Sequence, residues 1–168
     1  MSDKSTRYRI GIITVSDKGS AGLREDLSGP AIAEGIAGLG VIAATEIVPD
    51  EMELIASVLR DMADSQGIDL ILTTGGTGLS PRDVTPEATL SVIDRLVPGI
   101  PEAMRAASMA MTNRAMLSRA AAGIRGRTLI INMPGSPKAV RECLDVIAPV
   151  LPHALAILTG RDGECART

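Results

Sequence analysis

The stretch Leu70–Thr89, LILTTGGTGLSPRDVTPEAT, constrains the fold more than any other part of this chain. Leu70-Ile71-Leu72 followed by Thr73 and Thr74 is a short, β-prone apolar run, the pattern of a strand buried on both faces. Gly75, Gly76 and Gly78 follow, with Thr77 among them. Residues without a Cβ let the backbone turn through positive φ and let a ligand reach the main chain. Ser80-Pro81-Arg82-Asp83 then sets one cation beside one carboxylate. Thr85-Pro86-Glu87 reads as a helix cap, a proline fitted to the first helical position and an acid in the first turn. A strand, a glycine turn, fixed charges and a helix start in that order describe a ligand crevice at the carboxyl end of a parallel strand. A tight strand–helix connection with a well-capped helix is the plainer reading of the same residues.

The rest of the chain alternates around this centre. Arg9–Ser16 is a second near-continuous apolar run, predicted as an interior parallel strand. It empties into a polar loop, 17–29, containing Asp17, Ser20, Gly22, Asp26, Ser28 and Gly29, which suits binding and mere solvation equally. Pro30 opens a helix predicted to run to about Leu39, and Val41–Val48 is the next strand. Asp50-Glu51-Met52-Glu53 reads as a capping box with Asp50 as the cap. Met52, Ile55, Leu59 and Met62, with Val58 beside them, recur at helical spacing and are assigned to the core. Helices are predicted over 88–97, stopped by Pro98-Gly99, and over 101–111, with a short helical piece at 113–119. Ala120–Arg125 and Thr128–Asn132, joined at Gly126, predict a strand–turn–strand whose first member runs antiparallel to the rest. Met133-Pro134-Gly135-Ser136-Pro137 repeats the strand end, glycine, cap serine and proline, and the last helix should kink or break at Pro149 and Pro152. The expected fold class is α/β, one domain over 1–168. Its three α/β/α layers enclose a mostly parallel central sheet with one short antiparallel strand.

Composition excludes several function classes. A chain of 168 residues is one domain's worth, enough to bury roughly 70% of its unfolded surface. No apolar run approaches the roughly 18–20 residues of a membrane span, and the opening MSDKSTRYR lacks a signal peptide's apolar stretch. The expectation is a cytoplasmic protein with no membrane partner. Cys143 and Cys165 suggest neither a disulfide framework nor a Cys-x-x-Cys site; Cys143 is placed on a helix and Cys165 in a polar tail. A net charge of −3 argues against broad nucleic-acid binding. With one Tyr, no Trp and no Phe, the core must be aliphatic and Met-filled, and base stacking on aromatic platforms is ruled out. The single histidine, His153, falls in the last helix and is expected at the surface, which leaves no Ser-His or Cys-His pair for hydrolysis.

What remains is phosphate chemistry. The strand ends at Gly75–Gly78 and Pro134–Pro137 each carry a glycine and a capped helix. In a parallel sheet they share one edge, where helix N-termini offer N–H groups to anions. Neither is a Walker A motif, since no Gly-Lys-Ser/Thr follows, and neither is Gly-x-Gly-x-x-Gly. Arg82, Lys138 and Arg119 are the cations available to neutralise phosphate. Asp50 and Asp83 both follow strand ends, and a carboxylate is repulsive in a phosphate site unless a cation intervenes. Mg²⁺ bound by one or two carboxylates plus substrate phosphates supplies it. The alternatives are a helix cap at Asp50, worth about 1 kcal/mol, and a salt bridge or turn hydrogen bond at Asp83.

Thr74-Gly75-Gly76-Thr77-Gly78 with Pro81-Arg82-Asp83-Val84-Thr85-Pro86-Glu87-Ala88-Thr89 resembles the MogA/MoaB/gephyrin G-domain family of molybdenum-cofactor biosynthesis, closest to the MogA-type molybdopterin adenylyltransferases. The loop 17–29, with its Ser-Asp…Ser-Gly-Pro pattern, Val48-Pro49-Asp50-Glu51, Met116-Leu117-Ser118-Arg119-Ala120 and Pro134–Pro137 extend the resemblance over nearly the whole chain. It implies transfer of AMP from Mg-ATP to the molybdopterin phosphate with release of pyrophosphate. It implies catalytic and Mg²⁺-linked roles for Asp50 and Asp83. Ligand contacts are implied at Gly75, Gly76, Thr77 and Gly78, at Ser118 and Arg119 on the pterin side, and at Pro134, Gly135, Ser136 and Pro137, and the cations Arg82 and Lys138 are assigned beside them from their place near the crevice. A homotrimer is implied, and a separate molybdate-insertase protein as recipient of the product, because the chain has no room for an insertion domain. Leu79-Ser80 stands where an aromatic followed by Thr is frequent, and Ser136 where Asn also occurs. The alternatives are a MoaB-like molybdopterin-binding or assembly module without transferase activity and a generic nucleotide-binding protein.

Overall fold

In the computed structural model, which describes residues 7–161, the apolar runs form the middle of one six-stranded sheet. The chain runs β1 (Tyr8–Val15), a single turn α1 (Asp17–Ser20), α2 (Ser28–Gly35), β2 (Gly40–Val48), α3 (Met52–Arg60), β3 (Leu70–Thr74) and α4 (Thr85–Val92). It continues through β4 (Arg95–Leu96), α5 (Gly99–Met109), a 3₁₀ turn Asn113–Leu117, β5 (Ala122–Arg125), β6 (Thr128–Met133), α6 (Pro137–Ile147) and α7 (Leu151–Thr159). The sheet order is β2-β1-β3-β6-β5-β4. The first four in that order are parallel, and β5 alone runs against the rest, since β4 pairs antiparallel to it.

Every residue of β3 and β6 is buried, as a strand covered on both faces requires. Alternate side chains divide between two cores. Ile10, Ile12, Leu70, Leu72, Leu129 and Ile131 meet α2, α6 and α7, with Met104 of α5. Ile13, Ile71 and Ile130 meet Ile55 and Leu59 of α3 and Val92 of α4. The result is three layers, with an aliphatic and methionine interior as the composition demands.

The structure corrects several local expectations. The helix predicted over 88–97 stops at Val92, and Asp94 and Val97 donate their N–H groups to Ile124 and Ala122 carbonyls at 2.7 and 2.9 Å. Those bonds close the outer edge of β5, which would otherwise stay unpaired, and they outweigh the helical propensity of the segment. Asp50 does not cap α3. Glu51 occupies that position without a side-chain bond, because the Asp50 carboxylate is drawn to the end of β1. Thr85 does not cap α4 either: Val84 precedes the helix, the Thr85 N–H goes to the Gly76 carbonyl at 3.1 Å, and its buried hydroxyl has no hydrogen-bond partner among the described residues. Helix α2 begins at Ser28 and ends at Gly35, short of Leu39. In the α3 stripe Ile55, Leu59 and Met62 are buried, while Met52 stays exposed on the first turn. Cys143 is buried in the first core; Cys165 lies outside the described residues.

The last helix breaks into a 3₁₀ turn at Ala148–Val150, where Pro149 removes a donor. By length and composition alone Pro137–Thr159 could cross a bilayer, the mean hydropathy of its most apolar 18 residues being 1.5. Its Val140, Cys143, Leu144, Ile147, Leu151 and Leu155 are instead packed into the first core at helical spacing.

Candidate active site

The site follows from strand order. From β1 the chain moves outward to β2, then returns across β1 to β3, so the connections leave the carboxyl ends of β1 and β3 in opposite directions and a crevice opens between them. Two glycines make the approach possible. Gly75 has φ +97°, and a Cβ there would collide with the Val15 carbonyl of β1; Gly76 has φ +67°, and a Cβ would collide with the Thr85 hydroxyl and stand 3.2 Å from Asp50 Oδ1. The neighbouring loop after β6 is fastened to this turn. Thr74 Oγ1 donates to the Pro134 carbonyl at 2.7 Å, and Ser28 Oγ at the start of α2 donates to the Gly135 carbonyl at 2.7 Å. Ser136 Oγ accepts from the Ala139 N–H at 3.1 Å and caps α6, as its position before Pro137 predicted. Between these walls lies a cavity of about 730 Å³ lined by Asp50, Asp83, Gly75, Gly76, Gly135, Ser136 and Pro137, among others.

The two carboxylates are held differently. Asp83 Oδ2 accepts from the Ser80 N–H at 2.9 Å inside its own turn. Asp50 Oδ2 accepts from the Asp17 N–H at 2.9 Å, and the Asp50 N–H donates to Asp17 Oδ1 at 2.9 Å. Burial pushes the Asp50 carboxyl above its ordinary range, and the charges of Asp17 and Asp83 add to that against the bond from the Asp17 backbone. Arg82 grips Asp17 with Nε to Oδ2 at 3.0 Å and Nη2 to Oδ1 at 2.8 Å, holding the Asp17 carboxyl below its ordinary range.

The cations are placed otherwise than the sequence suggested. Arg82 is taken up by Asp17. Arg119 donates from Nε to the Gly78 carbonyl at 2.7 Å, from Nη2 to the Asp83 carbonyl and from Nη1 to the Glu87 carboxylate. Its guanidinium therefore clasps the turn from Gly78 to Glu87. Burial raises the Glu87 carboxyl, but the bonds from Arg119 and from its own backbone N–H prevail and bring it below the ordinary range. Lys138 is 84% exposed and sits 3.9 Å from Glu142 one helical turn on, away from the cavity lining. Among the residues lining the large cavity the cation is Arg24, which nothing in the sequence distinguishes from the polar loop around it.

Thr77 and Gly78 face the other way, into a second cavity of about 290 Å³ with Ser118 and Pro134. Arg105 of α5 fixes its wall by donating to the Ser118 and Ala120 carbonyls at 3.3 and 3.0 Å. The Gly75–Gly78 turn is thus a partition between the space that Asp50 and Asp83 line together with Glu25 and Asp26 and one that contains Ser118.

Among the described residues no group of three or more His, Cys, Asp or Glu side chains stands ready to hold a metal ion. A hard cation held by one or two carboxylates and completed by phosphate oxygens and water needs no such group. Asp50 Oδ1 and Asp83 Oδ1 accept no hydrogen bond among the described residues and suit that donor set.

Residues 11–153 match the family model described as "Probable molybdopterin binding domain". The chain belongs to this family. The molybdopterin adenylyltransferase of Helicobacter pylori strain 26695 is 45% identical over 154 residues, covering 90% of this chain and 88% of that protein. The crystal structure of the molybdopterin biosynthesis enzyme MoaB from Thermus thermophilus superposes with a TM-score of 0.86 at 57% identity, over 91% of this chain and 97% of that one. The Mog protein of Mycobacterium ulcerans gives 0.84 at 40% identity, over 90% and 99%. Proteins named for Mog and for MoaB thus share the fold of this chain.

Proposed function

We propose that this protein is a molybdopterin adenylyltransferase. A phosphate oxygen of molybdopterin attacks the α-phosphorus of ATP, the bond to the β-phosphate breaks, pyrophosphate leaves and adenylyl-molybdopterin remains. The observation that carries this reading is the convergence of Asp50, Asp83 and two anchored glycine-containing turns on one cavity. The 45% identity to a named adenylyltransferase supports it.

The chain's own contribution is positioning and charge placement rather than a covalent step. The turn 75–78 and the loop 134–137 bring main chain close to the ligand phosphates. Arg24 faces the same cavity as a cation, and the smaller cavity beside Ser118 takes the pterin side. Asp50 and Asp83 are the residues that would hold Mg²⁺, which supplies neutralisation of the triphosphate. Arg119 keeps the Asp83 segment in place. The reading includes a cytoplasmic location and a separate molybdate-inserting protein that receives the product.

Pure protein incubated with molybdopterin, ATP and Mg²⁺ is expected to yield adenylyl-molybdopterin and pyrophosphate, with neither formed when EDTA is in excess over Mg²⁺. Tight molybdopterin binding without pyrophosphate release would make it a binding module instead.

The same reading includes a homotrimer. Helix α5 buries only Pro101 and Met104 within the monomer and leaves Met109 39% exposed, with Met111 beyond it 61% exposed. Such a face is available for subunit contact. Light scattering at micromolar concentration should give three times the 17.4 kDa chain mass, and a monomer mass would refute the trimer.

A further inference from the structure

Asp83 is fixed inside its own turn, but Asp50 is fixed from another strand. The Asp17 N–H bonds Asp50 Oδ2, and Asp17 Oδ1 takes the Asp50 N–H in return, a reciprocal pair joining the ends of β1 and β2. The same Asp17 carboxylate receives the two-pronged grip of Arg82 from the loop after β3. One residue therefore ties together the loops after β1, β2 and β3, three of those that meet at the crevice. It does so without lining the cavity, which includes its neighbours Ser16 and Gly19 but not Asp17. With Oδ2 pinned, Asp50 turns Oδ1 toward the Gly76 turn, where a Cβ would stand 3.2 Å away. The Asp17–Arg82 pair is 44% and 56% exposed, too open to contribute much to folding.

We propose that Asp17 is the positioning residue for Asp50, acting on adenylyl transfer through that carboxylate and touching neither substrate. The kinetic form of this inference rests on the adenylyltransferase reading; its structural form does not. Substituting the side chain leaves the main-chain N–H in place. What is lost is the return bond to Asp50 and the hold on Arg82, so the loop after β1 is released and the Asp50 carboxylate with it.

The test is a mutant cycle. Asp17→Ala should lower kcat roughly 10-fold to 10²-fold, the scale of a displacement of about 1 Å at a reacting centre, with KM for ATP changed less than about 3-fold. Asp17→Asn, whose amide oxygen still accepts from the Asp50 N–H, should recover part of that loss. In an Asp50→Ala background, Asp17→Ala should cause no further loss, because a residue acting only through Asp50 has nothing left to position. Additive losses, a raised KM at unchanged kcat, or a near-normal kcat in Asp17→Ala would each overturn the proposal. If the wild-type protein makes no adenylylated pterin, the functional reading falls separately. The crystal structure of Asp17→Ala then decides: a displaced Asp50 carboxylate supports the positioning role, and an unmoved one ends it.

Discussion

Replacing Asp83 by Asn is expected to lower adenylyl transfer roughly 10²–10³-fold, the scale for losing one well-placed electrostatic group. Asn keeps the size of the side chain, and its amide oxygen still accepts from the Ser80 N–H, so the turn bond now made at 2.9 Å survives. That bond is worth about 1 kcal/mol, and the melting temperature should barely move. What disappears is the negative charge facing the cavity. Asp50→Asn should behave alike in turnover, since its oxygen can keep the bond from the Asp17 N–H. Capping of α3 does not enter the comparison, because Glu51 and not Asp50 stands at its cap. Single-turnover transfer at saturating ATP, set beside thermal melts of the same samples, separates charge from fold. Near-normal transfer in both variants would make the two carboxylates structural, and so would a loss explained by unfolding at the assay temperature.

The second large effect is on stability. Gly75→Ala places a methyl against the Val15 carbonyl at a φ of +97°. The left-handed conformation alone costs an L-residue roughly 1–2 kcal/mol. The collision adds to it, because two parallel strands paired through Thr14 and Thr74 cannot separate locally without breaking their ladder. A total of about 3 kcal/mol corresponds to a melting temperature lower by roughly 6–12 °C for a chain of this size. Gly38→Ala is the control: its φ is +90°, but nothing lies within 4 Å of the added methyl. It should show the conformational cost alone, roughly 1–2 kcal/mol. Equal melting temperatures for the two variants would mean that the close approach of the Gly75 turn to β1 contributes nothing. With a single tyrosine in the chain, far-UV circular dichroism is the signal to follow.

The strands that carry the site were legible because burial on both faces writes itself as unbroken apolar runs, and Leu70–Thr74 and Thr128–Met133 show it plainly. The turn at Gly75 and the cap at Ser136 were legible because backbone geometry there admits few residues. Strand β4 was not legible: two exposed residues, Arg95 and Leu96, carry no alternation, and their pairing depends on β5 arriving from elsewhere in the chain. Asp50 looked like a cap because the signature is local, whereas its true partner, Asp17, becomes a neighbour only once β1 and β2 are side by side. Arg119 looked like a free cation for the same reason. All three of its acceptors, Gly78, Asp83 and Glu87, lie at least 32 positions away along the chain. Charges in a sequence have signs but no partners, and the partners decide whether an arginine meets a ligand or fastens a loop.

The register that sets Thr74 opposite Met133 has a consequence for the order in which the molecule comes together. Strands β3 and β6, whose ends carry the turn and the loop of the site, are neighbours in space, yet residues 75–127 lie between them, and that length must be closed before either strand gains from the pairing. The β1–β3 and β3–β6 ladders are both non-local, so a chain caught part-way has Asp50, Asp83 and the Pro134–Pro137 loop without a common wall. A nucleotide or pterin phosphate that bridges both loops therefore binds the completed sheet and not its fragments. By mass action such a ligand draws late-folding molecules forward as well as occupying finished ones.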